Sequence, residues 1–159
     1  VTSGRGWIWD IAVDRGGRPV IVYGVYPEET DHRYRYARWD GTKWIDREIT
    51  PAGGWFPQTE AGKEEREPHY SGGVVLDHTN PDVVYLSRRI RGVFEIERWE
   101  TADSGRSWHS EPVTAGSSVN NVRPVVPRGH APGGIEVLWM HGDYVHYTDY
   151  RTEIKMKHF

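Results

Sequence analysis

The sequence contains no cysteine, only three phenylalanines among 159 residues, and no apolar run long enough to cross a bilayer as a helix. The first absence excludes disulfides and thiol chemistry, but it leaves the compartment open. The last excludes a helical membrane span. A charge balance of one sign is also lacking. The 20 Lys and Arg interleave with 23 Asp and Glu for a net charge of −3, so no basic stripe is present to recruit nucleic acid. Helical patterning is missing too: no helix-length stretch keeps a 3.6-residue apolar period without a Gly or Pro breaking it. The chain starts at Val1 with neither an initiator Met nor a signal peptide, which reads as a processed product or a fragment of something longer.

What is abundant points the other way. The 18 Gly and 10 Pro are spread along the whole length, as turn punctuation would be. Eight Trp and nine Tyr supply rings with a polar edge, suited both to half-buried strands and to sugar-binding surfaces. Strand signals follow one another closely. Residues 6–14 (GWIWDIAVD) put Trp7, Trp9, Ile11 and Val13 on one face by period-2 alternation. Residues 19–26, 33–40 and 43–49 complete four consecutive antiparallel strands. The same order recurs in residues 71–77, 82–88, 92–101 and 106–113. A third copy begins with 121–127, 135–141 and 144–155, and stops before a fourth strand.

This repeat predicts the architecture. Asp14 and Asp77 end equivalent first strands, and Gly41-x-x-Trp44 and Gly105-x-x-Trp108 mark equivalent third-to-fourth turns. Units of four short strands repeated head to tail read as all-β propeller blades: residues 1–50, 68–114 and an incomplete 119–155, with 51–67 a charged, Gly-rich excursion between blades. A β-sandwich also has many short strands, but the four-strand period disfavours it.

Thr101-Ala102-Asp103-Ser104-Gly105-Arg106-Ser107-Trp108 fits the Asp-box pattern Ser/Thr-x-Asp-x-Gly-x-x-Trp. The Asp accepts backbone N–H groups inside a hairpin turn, Gly takes a positive φ, and Trp packs back over the turn. Thr101, Asp103, Gly105 and Trp108 are therefore structural. Trp39–Trp44 is a copy shorter by one residue.

The stretches GWIWDIAVDRGGRPVIVY, DHRYRYARWDGTKW, EPHYSGGVVLDHTNPDVVYLSR, FEIERWETADSGRSW, NVRPVVPRG and LWMHGDYVHYTDYRTEI together resemble the BNR-repeat (bacterial neuraminidase repeat) family. The resemblance is to the branch that contains ulvan lyases and rhamnose–glucuronate lyases, and to its C-terminal portion. It implies a seven-bladed propeller, of which this chain would hold two blades and most of a third. It also implies a secreted or periplasmic location, an acidic polysaccharide or oligosaccharide as partner, and either the missing blades or self-association to cover the open ends.

Ligands of propellers lie over the axis, on loops entering each first strand and joining second to third strands. Those loops carry Tyr26, His32, Arg33, Tyr34, Glu67, His69, Tyr70, Arg88, Arg89, Arg91, Asn121 and Arg123, a set rich in His, Tyr and Arg with few carboxylates. Elimination at a uronate needs a cation on the carboxylate, a base for the C5 proton and an acid for the departing oxygen. The resemblance assigns such roles to His, Tyr and Arg. Tyr26 or Tyr34 then serves as acid/base and Arg33 as carboxylate clamp. His32, His69, Tyr70, Arg89, Asn121 and Arg123 contact substrate. His69 is also the candidate ligand for a structural or site-adjacent divalent metal, zinc or calcium. Each has a bland counterpart: Tyr34 as packing, Arg33 as an edge charge, His69 as a hydrogen-bonded structural residue. The family's catalytic His residues come largely from blades this chain does not contain. Two other readings remain open: a sialidase-like hydrolase, for which no Glu is well placed to form the Tyr–Glu nucleophile pair, and a non-catalytic glycan-binding or structural segment.

Overall fold

A computed structural model of the chain describes residues 4–53, 60–63, 66 and 72–158. Among these residues there is no helix. Eleven strands form three antiparallel sheets, none of them closed. The first sheet holds β1 (Gly6–Val13), β2 (Pro19–Glu28), β3 (Asp31–Trp39) and β4 (Trp44–Pro51). The second holds β5 (Val74–Leu76), β6 (Val83–Ile90), β7 (Val93–Glu100) and β8 (His109–Pro112). The third holds β9 (Asn121–Val125), β10 (Ile135–His146) and β11 (Asp149–His158). Within each sheet, strands neighbour one another in chain order.

The sheets stack because their strands are apolar on both faces. Val83 to Ser87 of β6 are all buried. Val84 and Leu86 join Val20, Val22, Tyr34 and Tyr36 in a core between the first and second sheets. Val83 and Tyr85, alternating with them, meet Val126, Val137 and Trp139 of the third-sheet region. Alternation thus sends one side chain each way, and both faces of the second sheet are covered.

Polar bolts cross both interfaces. Asp10 of β1 receives His78 of the second sheet at 2.9 Å, and Asp77 receives His130 of the third at the same distance. Arg38 reaches Asp82, and the Tyr85 hydroxyl donates to the buried Glu136. Ser87 ties all three sheets. Its hydroxyl donates to the Asn121 carbonyl at 2.6 Å, and its own carbonyl accepts the Tyr34 hydroxyl at 2.9 Å.

Two expectations about strands need correction. A register shift between Ile8 and Asp10 breaks the alternation of β1. Ile8, Ile11 and Val13 therefore share the outer face with Tyr23 and Ile21, while Trp9 packs against the core on the other side. Gly142-Asp143 also fails to turn the chain. β10 runs straight through it, and the hairpin reverses at Tyr147-Thr148. Gly142 is instead a point of close approach, where a Cβ would collide with the Arg151 carbonyl of the paired strand.

The Asp-box turn links β7 to β8. Asp103 accepts Ser107 N–H and Oγ–H at 2.8 and 2.7 Å, and Thr101 Oγ1 accepts Gly105 N–H at 2.8 Å. These donors hold the Asp103 carboxyl down at about 2. Trp108 then lies edge-on to Tyr36 of the first sheet, ring centres 5.3 Å apart, so the turn is also an inter-sheet contact. Gly105 has φ +85°, and an added Cβ would sit 3.1 Å from the Tyr36 ring. Gly105→Ala is expected to lower unfolding free energy by about 2–3 kcal/mol, combining left-handed strain with the clash. Gly17→Ala, with φ +74° and nothing nearby, should cost only about 1 kcal/mol; urea titration of both variants makes the comparison.

Candidate functional site

The meander geometry brings one set of termini to one end of every sheet: the β2–β3, β6–β7 and β10–β11 turns and the entries to β5 and β9. The candidate residues Tyr26, His32, Arg33, Tyr34, Arg89, Asn121 and Arg123 all come from this end. Glu67, His69 and Tyr70 lie outside the described residues. Sharing an end does not mean sharing a surface, and the side chains divide into three groups.

Tyr26, His32 and Tyr34 form a buried aromatic file. His32 stacks on Tyr26 at 4.5 Å and 13°, and meets Tyr34 edge-on at 5.1 Å. The Tyr34 hydroxyl is fully engaged, donating to Ser87 O and accepting Gly73 N–H, both at 2.9 Å. It works as an inter-sheet tie. His32 is 1% exposed, and neither ring nitrogen has a well-formed hydrogen bond among the described residues. Burial pushes its pKa down to about 4, against weak opposition from the Gly53 backbone and the Asp31 carboxylate. The imidazole is therefore neutral at neutral pH.

Arg33 sits in register with Val25 and points to the opposite face, away from that file. Asp31 and Glu48 grip its guanidinium at 2.9 and 3.0 Å, holding its pKa above the usual arginine range. Two carboxylates already occupy the fork that a substrate carboxylate would need. Asn121 is also committed. Its amide N–H groups serve Phe94 O, Glu95 and Ser117, while its carbonyl accepts Trp139 Nε1–H and contacts His141 Nδ1, each at 2.8 Å. Glu95 is buried beneath the same linker, accepting Ser117 N–H at 2.7 Å.

The third group lies nearer the surface, with Arg91 exposed and Arg123 half-buried. Arg89 is exposed, with its guanidinium 5.6 Å from the Phe94 ring. Arg91 projects from the two-residue turn Arg91-Gly92, where φ values of 51° and 93° suit a tight hairpin of the twisted type. Arg123 occupies a bulge in β9 at φ 57°, lying 5.8 Å from Trp9 and 5.1 Å from Tyr144. Rings beneath a guanidinium fix its plane and favour its charge. Trp9, Phe94 and Tyr144 were not singled out as site residues by sequence. The only signal was the high Trp and Tyr content, because the β9 bulge and the β1 register shift that align them are tertiary features.

Among the described residues no cluster of three His, Asp or Glu side chains could hold a metal ion. The Thr101, Asp103, Gly105 and Trp108 turn lies at the opposite end of the second sheet, between β7 and β8.

A buried neutral histidine makes stability depend on pH. The unfolded chain takes up a proton near pH 6.5 while the folded chain resists until about 4, so stability is complete above 6.5 and falls as pH drops through that window. The loss should approach about 3 kcal/mol at pH 4. Subtracting the urea-derived profile of His32→Phe from that of the parent isolates this component; equal slopes between pH 6.5 and 4 would refute it.

No family model matches the chain, and neither a curated protein nor a solved structure matches it.

Proposed function

We propose that the exposed arginine end of the three sheets binds an acidic glycan, and that the chain forms part of a polysaccharide lyase acting on uronates by β-elimination. In this reading the sheets are consecutive propeller blades and the ligand lies across their shared end. The observation that carries the proposal is the placement of Arg89, Arg91 and Arg123 at the same end of the sheets, with Arg89 and Arg123 backed by aromatic rings. Guanidinium forks match carboxylate or sulfate groups, and the rings against them hold their planes in place. A uronate held this way has its carboxylate charge neutralised, the condition that acidifies the C5 proton.

A binding role without chemistry is the second reading, and specific observations favour it. Tyr34 spends its hydroxyl on Ser87 and Gly73, and Arg33 is saturated by Asp31 and Glu48. Neither is available for proton transfer or clamping in this arrangement. Tyr26 and His32, though adjacent to each other, are buried.

Calorimetric titration with polygalacturonate and with neutral dextran tests the binding claim. Polygalacturonate should bind, more weakly as salt rises, and dextran should not. The double variant Arg89→Ala/Arg123→Ala should weaken binding about tenfold or more, equivalent to ~1.4 kcal/mol. Equal affinity for the two polymers, or no loss in the variant, would sink it. Ultraviolet absorbance from an unsaturated uronate product then separates the readings: its appearance supports a lyase, and tight binding without it supports the binding role.

A further inference from the structure

Tyr34, Arg33 and Asn121 are consumed by the fold, yet Asn121 passes its constraint on to an imidazole. Asn121, His141 and Glu153 pair across β9, β10 and β11 and form one rung of the third sheet. Paired residues share a face, so amide, imidazole and carboxylate stand side by side. The rung lies at the arginine end, because Asn121 opens β9 and β10 runs on past it to His146.

The orientation of the Asn121 amide follows from its partners. The Trp139 indole can only donate, so it meets Oδ1, at 2.8 Å. The Phe94 carbonyl can only accept, so it meets Nδ2, at 3.2 Å. His141 Nδ1 lies 2.8 Å from the same Oδ1 and must therefore be a donor. A neutral imidazole with its proton on Nδ1 carries its lone pair on Nε2. That nitrogen has no hydrogen-bond partner among the described residues, and the half-buried ring does not seal it from solvent. The other two described imidazoles at this end differ. His32 is enclosed by the aromatic file. His146 Nδ1 meets the Thr148 hydroxyl, which can donate or accept and so fixes neither tautomer.

The rung is tied to the cations on both sides. Phe94 holds the Asn121 amide with its carbonyl, and its ring lies 5.6 Å from the Arg89 guanidinium. Tyr144, further along β10 from His141, lies 5.1 Å from the Arg123 guanidinium. Glu153 is ionised: Lys155, at 2.7 Å, and more weakly His141 hold its carboxyl below the usual range. A negative charge beside the ring offsets the positive one it gains on taking up a proton.

We infer that His141 is the proton-accepting residue of this end, acting through Nε2 on a uronate held by the arginines. This role rests on the lyase reading. The C5 proton passes to Nε2, and the C–H electron pair becomes the C4–C5 double bond. The C4–O bond breaks with its electrons on the oxygen, which takes a proton from water.

Absorbance of the unsaturated product and calorimetry on polygalacturonate, both with the 159-residue chain, test the role. His141→Ala should slow product formation about a hundredfold or more while leaving affinity unchanged, and added imidazole should restore part of the rate. An unaltered rate overturns the role of His141 but not the lyase reading. A loss that imidazole fails to restore, or one matched by a loss of affinity, also overturns it, since the residue would then be structural or a binding group. A parent chain that forms no product ends the lyase reading and this role with it. Should His141→Ala lose its strand signature in circular dichroism, long-range proton–nitrogen NMR spectra of the parent decide. His141 should be the Nδ1–H tautomer. Its Nε2 signal should move on adding trigalacturonate at a concentration that calorimetry shows to be bound. An Nε2–H tautomer or an unmoved signal rejects the role.

Discussion

Ser87 is the point on which the three sheets converge. Its side chain is buried, and its hydroxyl and carbonyl act in opposite directions, one toward Asn121 and the other toward Tyr34. A β-strand at the centre of a stack has no solvent to satisfy stray polar groups, so each must find a partner across an interface. Satisfying them here fixes the distance and the angle at which neighbouring sheets meet. Gly72 belongs to the same constraint, since a Cβ there would strike Ser87 itself. The apolar cores on either side supply most of the cohesion, but hydrophobic surfaces can slide. Ser87, the two His–Asp bolts and the Trp108–Tyr36 contact make only one stacking register fully bonded.

That constraint also explains how the candidate site is divided. Residues at the same end of the sheets have been put to different uses by their depth. Tyr34 and Asn121 lie where the sheets join and are consumed by joining them. Arg33 lies on the outer face, neutralised by acids of its own sheet. Arg89 and Arg91 stand at the rim and are exposed, while Arg123 is half-buried between Trp9 and Tyr144, its amide bonded to the Gly72 carbonyl. A polar residue near a sheet end is thus chemically available only where the stack no longer needs it.

Much of the fold was legible in the sequence because it is local. Period-2 alternation and Gly-marked turns located the strands, and the Asp-box spacing located a turn with its internal hydrogen bonds. The failures came from features set by partners distant in sequence. Nothing within residues 6–14 announces a bulge at Trp9, which the packing of β1 against the second sheet accommodates. Gly142-Asp143 has turn composition, yet a glycine serves close strand approach equally well. For the site, residue types and loop positions could nominate Tyr34, Arg33 and Asn121. They could not reveal that Ser87, Glu48 and Glu95 would occupy them, because those partners arrive from other strands.

Every hydrogen-bonded strand pair among the described residues joins strands consecutive in the chain. Among the described residues each ladder is built from neighbouring segments, so loop-closure entropy is small at each step and hairpins can form independently on microsecond timescales. Sheets then couple only through their faces, in a nearly one-dimensional series. In such a series the middle unit has two neighbours and the ends have one. Amide protons of β6 are thus the last to exchange with solvent, and those of β1 and β11 escape through partial openings that leave the centre intact.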